Sequence, residues 1–246
     1  MLDIAPDTLA RVAAEAGFDG IGLRWSSDHH LDGPALQRMA STLDDLGLRL
    51  HDVEVHRIGP DASDPAPLID AAARLGAQFV LVVSDHRADA EGSAATEDAL
   101  GDFSTACRRA GLVAGLEYMA WTVPNSSVEA VRMAAATDCM VLVDLLHHHR
   151  LGEGAAALAH VASSGRLGWV QLCDAPDRSP GDLLDEARHH RLPPGEGGLP
   201  LRELLGEVPA GVPISVEVQS DELARRLPAH ERALVLRRAA SAVLGE

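Results

Sequence analysis

Short runs rich in Val, Ile and Leu recur along the chain at residues 20–25, 48–56, 78–84, 112–118, 140–145, 168–173 and 212–218. They are continuous rather than alternating, which suits strands buried on both faces of a parallel sheet. Helical patterns lie between them. Leu9, Val12, Ala13 and Ala16 fall at i, i+3, i+4 and i+7, the spacing of one helix face. The stretches 34–46, 67–75, 96–110, 127–136, 153–163, 199–205 and 222–244 read as further helices. Several of them run into Gly and then a strand, as in Ala16-Gly17-Phe18, Leu46-Gly47-Leu48, Leu75-Gly76-Ala77 and Ala110-Gly111-Leu112. Glycine tolerates the left-handed turn that sends a chain from a helix back to the sheet.

The repeat of about 30 residues is that of a βα unit. Seven strands are plain; the eighth would be the first, and only Leu2-Asp3-Ile4-Ala5 is available for it. The expectation is one domain over residues 1–246, a parallel (β/α)₈ TIM barrel whose first strand is short or truncated. An open doubly wound sheet is the structural alternative. Apolar residues make up 46% of the chain and aromatics 3%, so the core must be built from Ala, Val, Leu and Ile.

Charge and composition narrow the chemistry. A net charge of −16 argues against nucleic acid and against anionic membranes as partners, because phosphate surfaces call for a basic patch. A small substrate is expected instead. The chain has no Lys, which removes Schiff-base chemistry. Its three cysteines, Cys107, Cys139 and Cys173, form no CxxC pair and suggest neither a disulfide framework nor a thiolate zinc site. The N-terminus lacks the basic start and apolar run of a signal peptide, and no apolar run reaches membrane length, so a cytoplasmic location is expected.

In a barrel of this kind the reactive side chains stand at the C-terminal strand ends. Those ends offer Arg24; Glu54, His56 and Arg57; Asp85 and His86; Glu117; Asp144 and His147; Gln171 and Asp174; and Glu217 and Gln219. One acid at a strand end is ordinarily a helix cap or half of an ion pair. Three carboxylates converging at one mouth repel one another unless a cation compensates. Glu117, Asp144 and Glu217, with the Gln171 amide oxygen, therefore read as ligands of a divalent metal. An all-oxygen set favours Mn²⁺ or Mg²⁺ over zinc, with Co²⁺ also admissible.

Further motifs recur in order along nearly the whole chain. They are Ala16-Gly17-Phe18-Asp19-Gly20-Ile21-Gly22-Leu23-Arg24, Gly115-Leu116-Glu117, Val143-Asp144-Leu145-Leu146-His147, Val170-Gln171-Leu172-Cys173-Asp174-Ala175-Pro176, Arg191-Leu192-Pro193-Pro194-Gly195-Glu196-Gly197 and Ser215-Val216-Glu217-Val218. This ordered set resembles the xylose isomerase-like barrel family, which includes sugar isomerases, ketose 3-epimerases, inosose dehydratases and 3-dehydroshikimate dehydratases. The resemblance implies that Glu117, Asp144, Gln171 and Glu217 hold the metal and that Glu117 and Glu217 also act as acid and base. It implies that His147 contacts substrate and that Arg191 contacts substrate oxygens. Glu54, Arg57 and His86 are expected to shape the substrate pocket, with a Glu54–Arg57 ion pair as the plainer reading. His148 and His149 are expected at the surface.

Glutamine at position 171 departs from the ketose epimerases, which carry histidine there, and resembles the dehydroshikimate dehydratases. The loop 174–198 is also longer than in epimerases. The chemistry implied is removal of a proton next to a carbonyl of a polyhydroxy substrate. Return of the proton gives isomerisation or epimerisation; loss of a β-hydroxyl gives dehydration. A metal-dependent isomerase or epimerase and a dehydroshikimate dehydratase-like lyase both fit. A non-catalytic barrel binding metal or sugar and an endonuclease IV-type repair enzyme are the readings from other classes, the last opposed by the acidic charge. A homodimer is the family-level expectation.

Overall fold

The computed structural model describes residues 1–25, 33–85 and 89–245. The expectation for His86 lies outside the described residues. Seven strands, all parallel, form one sheet in sequential order: β1 (Gly20–Arg24), β2 (Arg49–Ile58), β3 (Phe79–Ser84), β4 (Val113–Glu117), β5 (Met140–Asp144), β6 (Leu167–Leu172) and β7 (Ile214–Val216). Helices alternate with them and the sheet curls into a nearly closed barrel. The order is that of a barrel and not of a doubly wound sheet, in which the strand order reverses.

The expected strand at residues 2–5 does not form; the chain runs through a turn there and enters α1 (Pro6–Glu15) directly. The barrel therefore has seven strands among the described residues. Its two end strands, β1 and β7, are not hydrogen-bonded to each other. Pro6 at the first turn of α1 explains the early helix start, since its missing N–H has no partner to lose there.

The other helices are α2 (Gly33–Leu46), α3 (Ala66–Arg74), α4 (Ala90–Arg109), α5 (Ser127–Thr137), α6 (Leu145–Arg150), α7 (Ala155–Ser163), α8 (Leu183–His189), α9 (Leu201–Leu205), α10 (Asp221–Arg226) and α11 (Ala229–Leu244). The single helix expected at 222–244 is two. Pro228 forces Leu227 into an extended conformation, φ −128° and ψ 136°, and the second helix restarts after it. The short helices α6 and α8 were not legible as periodic patterns, because one or two turns do not reveal a face.

Small residues make the barrel close. Leu, Val and Ala from strands and helices form one continuous core, and a second cluster of Phe79, Leu81, Leu142 and Trp169 fills part of the barrel interior. Trp169 is wholly buried, and a side chain at Gly115 would approach its ring to 2.1 Å, so only glycine fits there. At the C-terminal strand ends the register sets Asp144 beside Gln171 and Arg24 beside Glu54. This positions the site.

Candidate metal centre

Strands β4 and β5 are buried at every position but the first, and each ends in an acid that is itself buried: Glu117 and Asp144. Asp144 also caps α6, accepting hydrogen bonds from the backbone N–H groups of Leu146 and His147 through Oδ1. That cap turns the chain so that His147, one short turn on, folds back over the strand ends. Its Nε2 lies 3.7 Å from Glu117 Oε1 and 3.9 Å from Asp144 Oδ2. One ligand atom from each of Glu117, Asp144 and His147 falls within a 4.8 Å cluster. His147 thus stands where it could offer a nitrogen donor beside the two expected carboxylates.

Gln171 stands next to Asp144 on β6 and donates its amide N–H to Glu54 Oε1 at 3.1 Å. Its Oε1 is buried and has no hydrogen-bond partner. A buried, unpaired carbonyl-type oxygen beside two carboxylates is the donor a hard divalent cation takes, so the residues present fit such an ion.

Glu217 lies on the other side of Arg191. The Arg191 guanidinium is buried and bridges Asp144 Oδ2 at 2.6 Å, Glu217 Oε2 at 3.3 Å and His147 Nε2 at 3.4 Å, with Nε on the Ala187 carbonyl. Arg191 thus brings the carboxylates of β5 and β7 together and acts as their counter-cation. Glu217 Oε1 accepts from Gln219 Nε2 at 2.9 Å, and its side chain keeps 20% of its surface exposed.

These contacts divide the acids electrostatically. Burial, with Asp144, Glu217 and Glu54 nearby, pushes Glu117 well above the ordinary carboxylate range. Burial works against the Asp144 charge too, but Arg191 and His147 outweigh it and bring its pKa down to about 2. Burial lowers the pKa of His147, which leaves the neutral ring with a lone pair for a ligand or a proton.

Several expected residues sit elsewhere. Glu54 pairs not with Arg57 but with Arg24, its register partner on β1, at 3.0 Å. Arg57 points to an exposed pairing with Asp85 at 3.4 Å, and so stands apart from the buried acids. Asp174 organises the following loop, accepting from the N–H groups of Ala175, Gly195 and Leu199. His148, expected at the surface, is fully buried, because α6 is wedged against the barrel rather than riding on it. Its ring bonds the Tyr118 hydroxyl at 2.7 Å and the Gly154 carbonyl at 3.0 Å. His149 is half-buried.

Sequence reasoning passed over Trp121 and Asp52. Trp121 keeps 37% of its surface exposed and meets the His147 ring edge-on at 5.1 Å. Thr122 holds its loop through bonds to Met119 and Pro124. The only signal was an aromatic residue, rare in this chain, four positions after a strand-end acid. Asp52 gave no signal, because an acid mid-strand reads as solvent-facing.

Comparison with known proteins places this geometry. The family described as "Xylose isomerase-like TIM barrel" matches residues 10–239. The chain is 30% identical over 235 residues to a 3-dehydroshikimate dehydratase of Pseudomonas aeruginosa, an alignment covering 88% of this chain and 36% of that protein. The chain thus spans about a third of the length of this curated relative. Among solved structures, the IOLI protein with a bound zinc atom superposes with TM-score 0.85 at 17% identity, over 99% of this chain and 94% of that one. A D-psicose 3-epimerase solved in the presence of D-fructose gives TM-score 0.74 at 14% identity, over 100% and 96%. No helix among the described residues is long and apolar enough to cross a membrane.

Proposed function

The chain belongs to the xylose isomerase-like TIM barrel family, and from that premise we propose that it is a divalent-metal-dependent enzyme that removes a proton next to the carbonyl of a polyhydroxy substrate. The observation that carries this is the buried group of Glu117, Asp144 and His147 with the unpaired Gln171 oxygen beside it. Glu117, Asp144, His147 and Gln171 would hold the ion, with Glu217 reaching it from β7. The oxygen-rich donor set favours Mn²⁺ or Mg²⁺, and Co²⁺ is compatible with the histidine. When bound, the ion supplies a Lewis acid that polarises the substrate carbonyl and acidifies the neighbouring C–H.

The chain's own groups then divide the work. Glu117, held above the ordinary carboxylate range, is suited to take the proton from carbon and hand it on. His147, neutral and close to Glu117, would offer its Nε2 lone pair to the ion or to a substrate hydroxyl. Arg191 fixes Asp144 and Glu217 relative to each other. Trp121 gives the opening beside His147 an apolar wall for the C–H face of a ring.

Dehydration of a cyclic β-hydroxy ketone is the favoured outcome. Its support is Gln171 together with the 30% identity to a 3-dehydroshikimate dehydratase. The α-proton would pass to Glu117, the new C=C would form, and the β-hydroxyl would depart as water on taking a proton back from Glu117, which restores the carboxylate. Epimerisation or isomerisation of a ketose is the second reading, supported by carboxylates on two different strands, Glu117 and Glu217, that can serve opposite faces of one carbon. The test is a screen of the Mn²⁺-loaded protein against 3-dehydroshikimate, an inosose and ketoses, before and after chelation. Chelator-sensitive formation of an unsaturated product is expected. Turnover indifferent to chelation would remove the metal from the reaction, and metal binding with no turnover on any class would remove the enzymatic reading and leave a binding barrel.

A further inference from the structure

Strand β6 is buried at every position, and Gln171 on it is in register with Asp144 of β5 and Ser215 of β7. The backbone of Gln171 is thereby fixed, but its side-chain amide is not. A half-turn about the last bond exchanges oxygen for nitrogen with almost no change of shape. Only one of the two orientations serves a cation. The oxygen has lone pairs to give, whereas the NH₂ group turns only protons outward. In the structure Nε2 donates to Glu54 Oε1 at 3.1 Å, and Gln171 Oε1 is left buried without a partner. A buried polar atom without a partner is costly, so this orientation has to be imposed.

Given the metal centre proposed above, on which this rests, we infer that Glu54 is the positioning residue that makes Gln171 a ligand, by accepting its N–H and leaving its oxygen free for the ion. Glu54 stands on β2, across the barrel from β6, and its side chain keeps only 11% of its surface exposed. Its second oxygen, Oε2, is held by the Arg24 guanidinium at 3.0 Å, from the register partner on β1. In that ion pair Glu54 is a carboxylate with no proton to give, so the oxygen facing Gln171 can only accept. A reversed Gln171 amide would set its own oxygen against that carboxylate oxygen, where a hydrogen bond now spans 3.1 Å. Arg24 thus fixes Glu54, and Glu54 fixes which end of Gln171 is offered.

The plainer role for Glu54 is to neutralise Arg24, or to add one more negative charge near the ion. Neither depends on the Gln171 amide, and an isosteric change separates them. In Glu54→Gln the side chain keeps its shape but has one oxygen. Arg24 carries a full charge and claims that oxygen, so the new NH₂ group faces Gln171. Gln171 meets it best with Oε1, and its own NH₂ then stands where the free oxygen did. Glu54→Asp does the converse: it keeps the charge and, one carbon shorter, loses the reach.

Titration calorimetry with Mn²⁺ on dialysed protein provides the test, with the side-chain amide NMR signals of the metal-free protein as a second readout. Glu54→Gln and Glu54→Asp should each weaken Mn²⁺ binding at least about tenfold. In a Gln171→Leu background, which has no amide to orient, Glu54→Gln should change binding by less than about twofold. The Gln171 NH₂ signals, identified by their absence from Gln171→Leu, should shift in metal-free Glu54→Gln. An equal loss in both backgrounds would make Glu54 only a nearby charge and overturn the proposal. Undiminished binding in either Glu54 variant, or unmoved NH₂ signals, would overturn it too. A Gln171→Leu variant that binds like wild type would remove Gln171 from the ligands and this proposal with it, while leaving the centre at Glu117, Asp144 and His147. Wild-type protein that takes up no ion would remove the centre itself.

Discussion

On one side of the barrel, β4, β5 and β6 are buried at nearly every position and carry Glu117, Asp144 and Gln171 at or next to their ends, each close to a neighbour or a helix cap. On the other side, β7 is three half-buried residues, β1 alternates half-buried and buried positions over five, and Glu54 and Glu217 line an open cleft. Both sides contribute to the same mouth, yet only the first sets its groups on strands buried at nearly every position. The difference teaches where the candidate metal centre gets its order: from the closed side, with Glu217 tied to Asp144 through Arg191.

Removing the link between the sides should have the largest effect. Arg191→Met leaves Asp144 and Glu217 buried or half-buried without their cation, and should cost the metal-free protein about 3–5 kcal/mol in denaturant unfolding. Saturating Mn²⁺ should recover part of that loss, since the ion replaces the missing charge. An equal loss with and without Mn²⁺ would mean that Arg191 and the ion do not answer the same charge.

Packing should separate the sides next. Gly115→Ala forces a methyl into the immobile Trp169 ring and should cost about 1–3 kcal/mol. Gly22→Ala also meets atoms at 2.7 Å, but they belong to the Asp52 carboxyl, which can swing into the cleft. Its cost should stay below about 1 kcal/mol. Equal costs would make the open side as rigid as the closed one.

A smaller effect is expected from pH. Burial and repulsion raise the pKa of Glu117 in the fold above its ordinary 4.5. Its protonated form therefore supports the metal-free fold at low pH, and that support is lost as pH rises through the raised value. The stability of wild type relative to Glu117→Gln should fall as pH rises above the ordinary 4.5. Mn²⁺ should abolish the trend by stabilising the carboxylate. A wild-type advantage that grew with pH would place Glu117 in a favourable ion pair instead.

The closed side was also the legible side. Continuous apolar runs ending in Glu117, Asp144 and Gln171 announce buried strands with functional ends, because burial on both faces leaves no other reason for the polarity. The pairing of Glu54 was misjudged in favour of Arg57, since sequence proximity says nothing about register, and register sets Arg24 opposite Glu54. His148 was misplaced for a related reason: a triple histidine after a strand reads as surface until α6 is known to be one and a half turns wedged inward. The gap before β1 could be read only as a strand short of residues, because a cleft is a property of two edges meeting in space.

The most direct test of the metal centre is the stoichiometry and affinity of Mn²⁺ for dialysed protein, by elemental analysis and titration calorimetry. One ion per chain is expected, weakened at least about a hundredfold by Glu117→Gln or Asp144→Asn, about tenfold by Glu217→Gln, and unchanged by Arg57→Ala. Wild-type protein that binds no divalent ion, or binding that survives loss of both Glu117 and Asp144, would contradict the account.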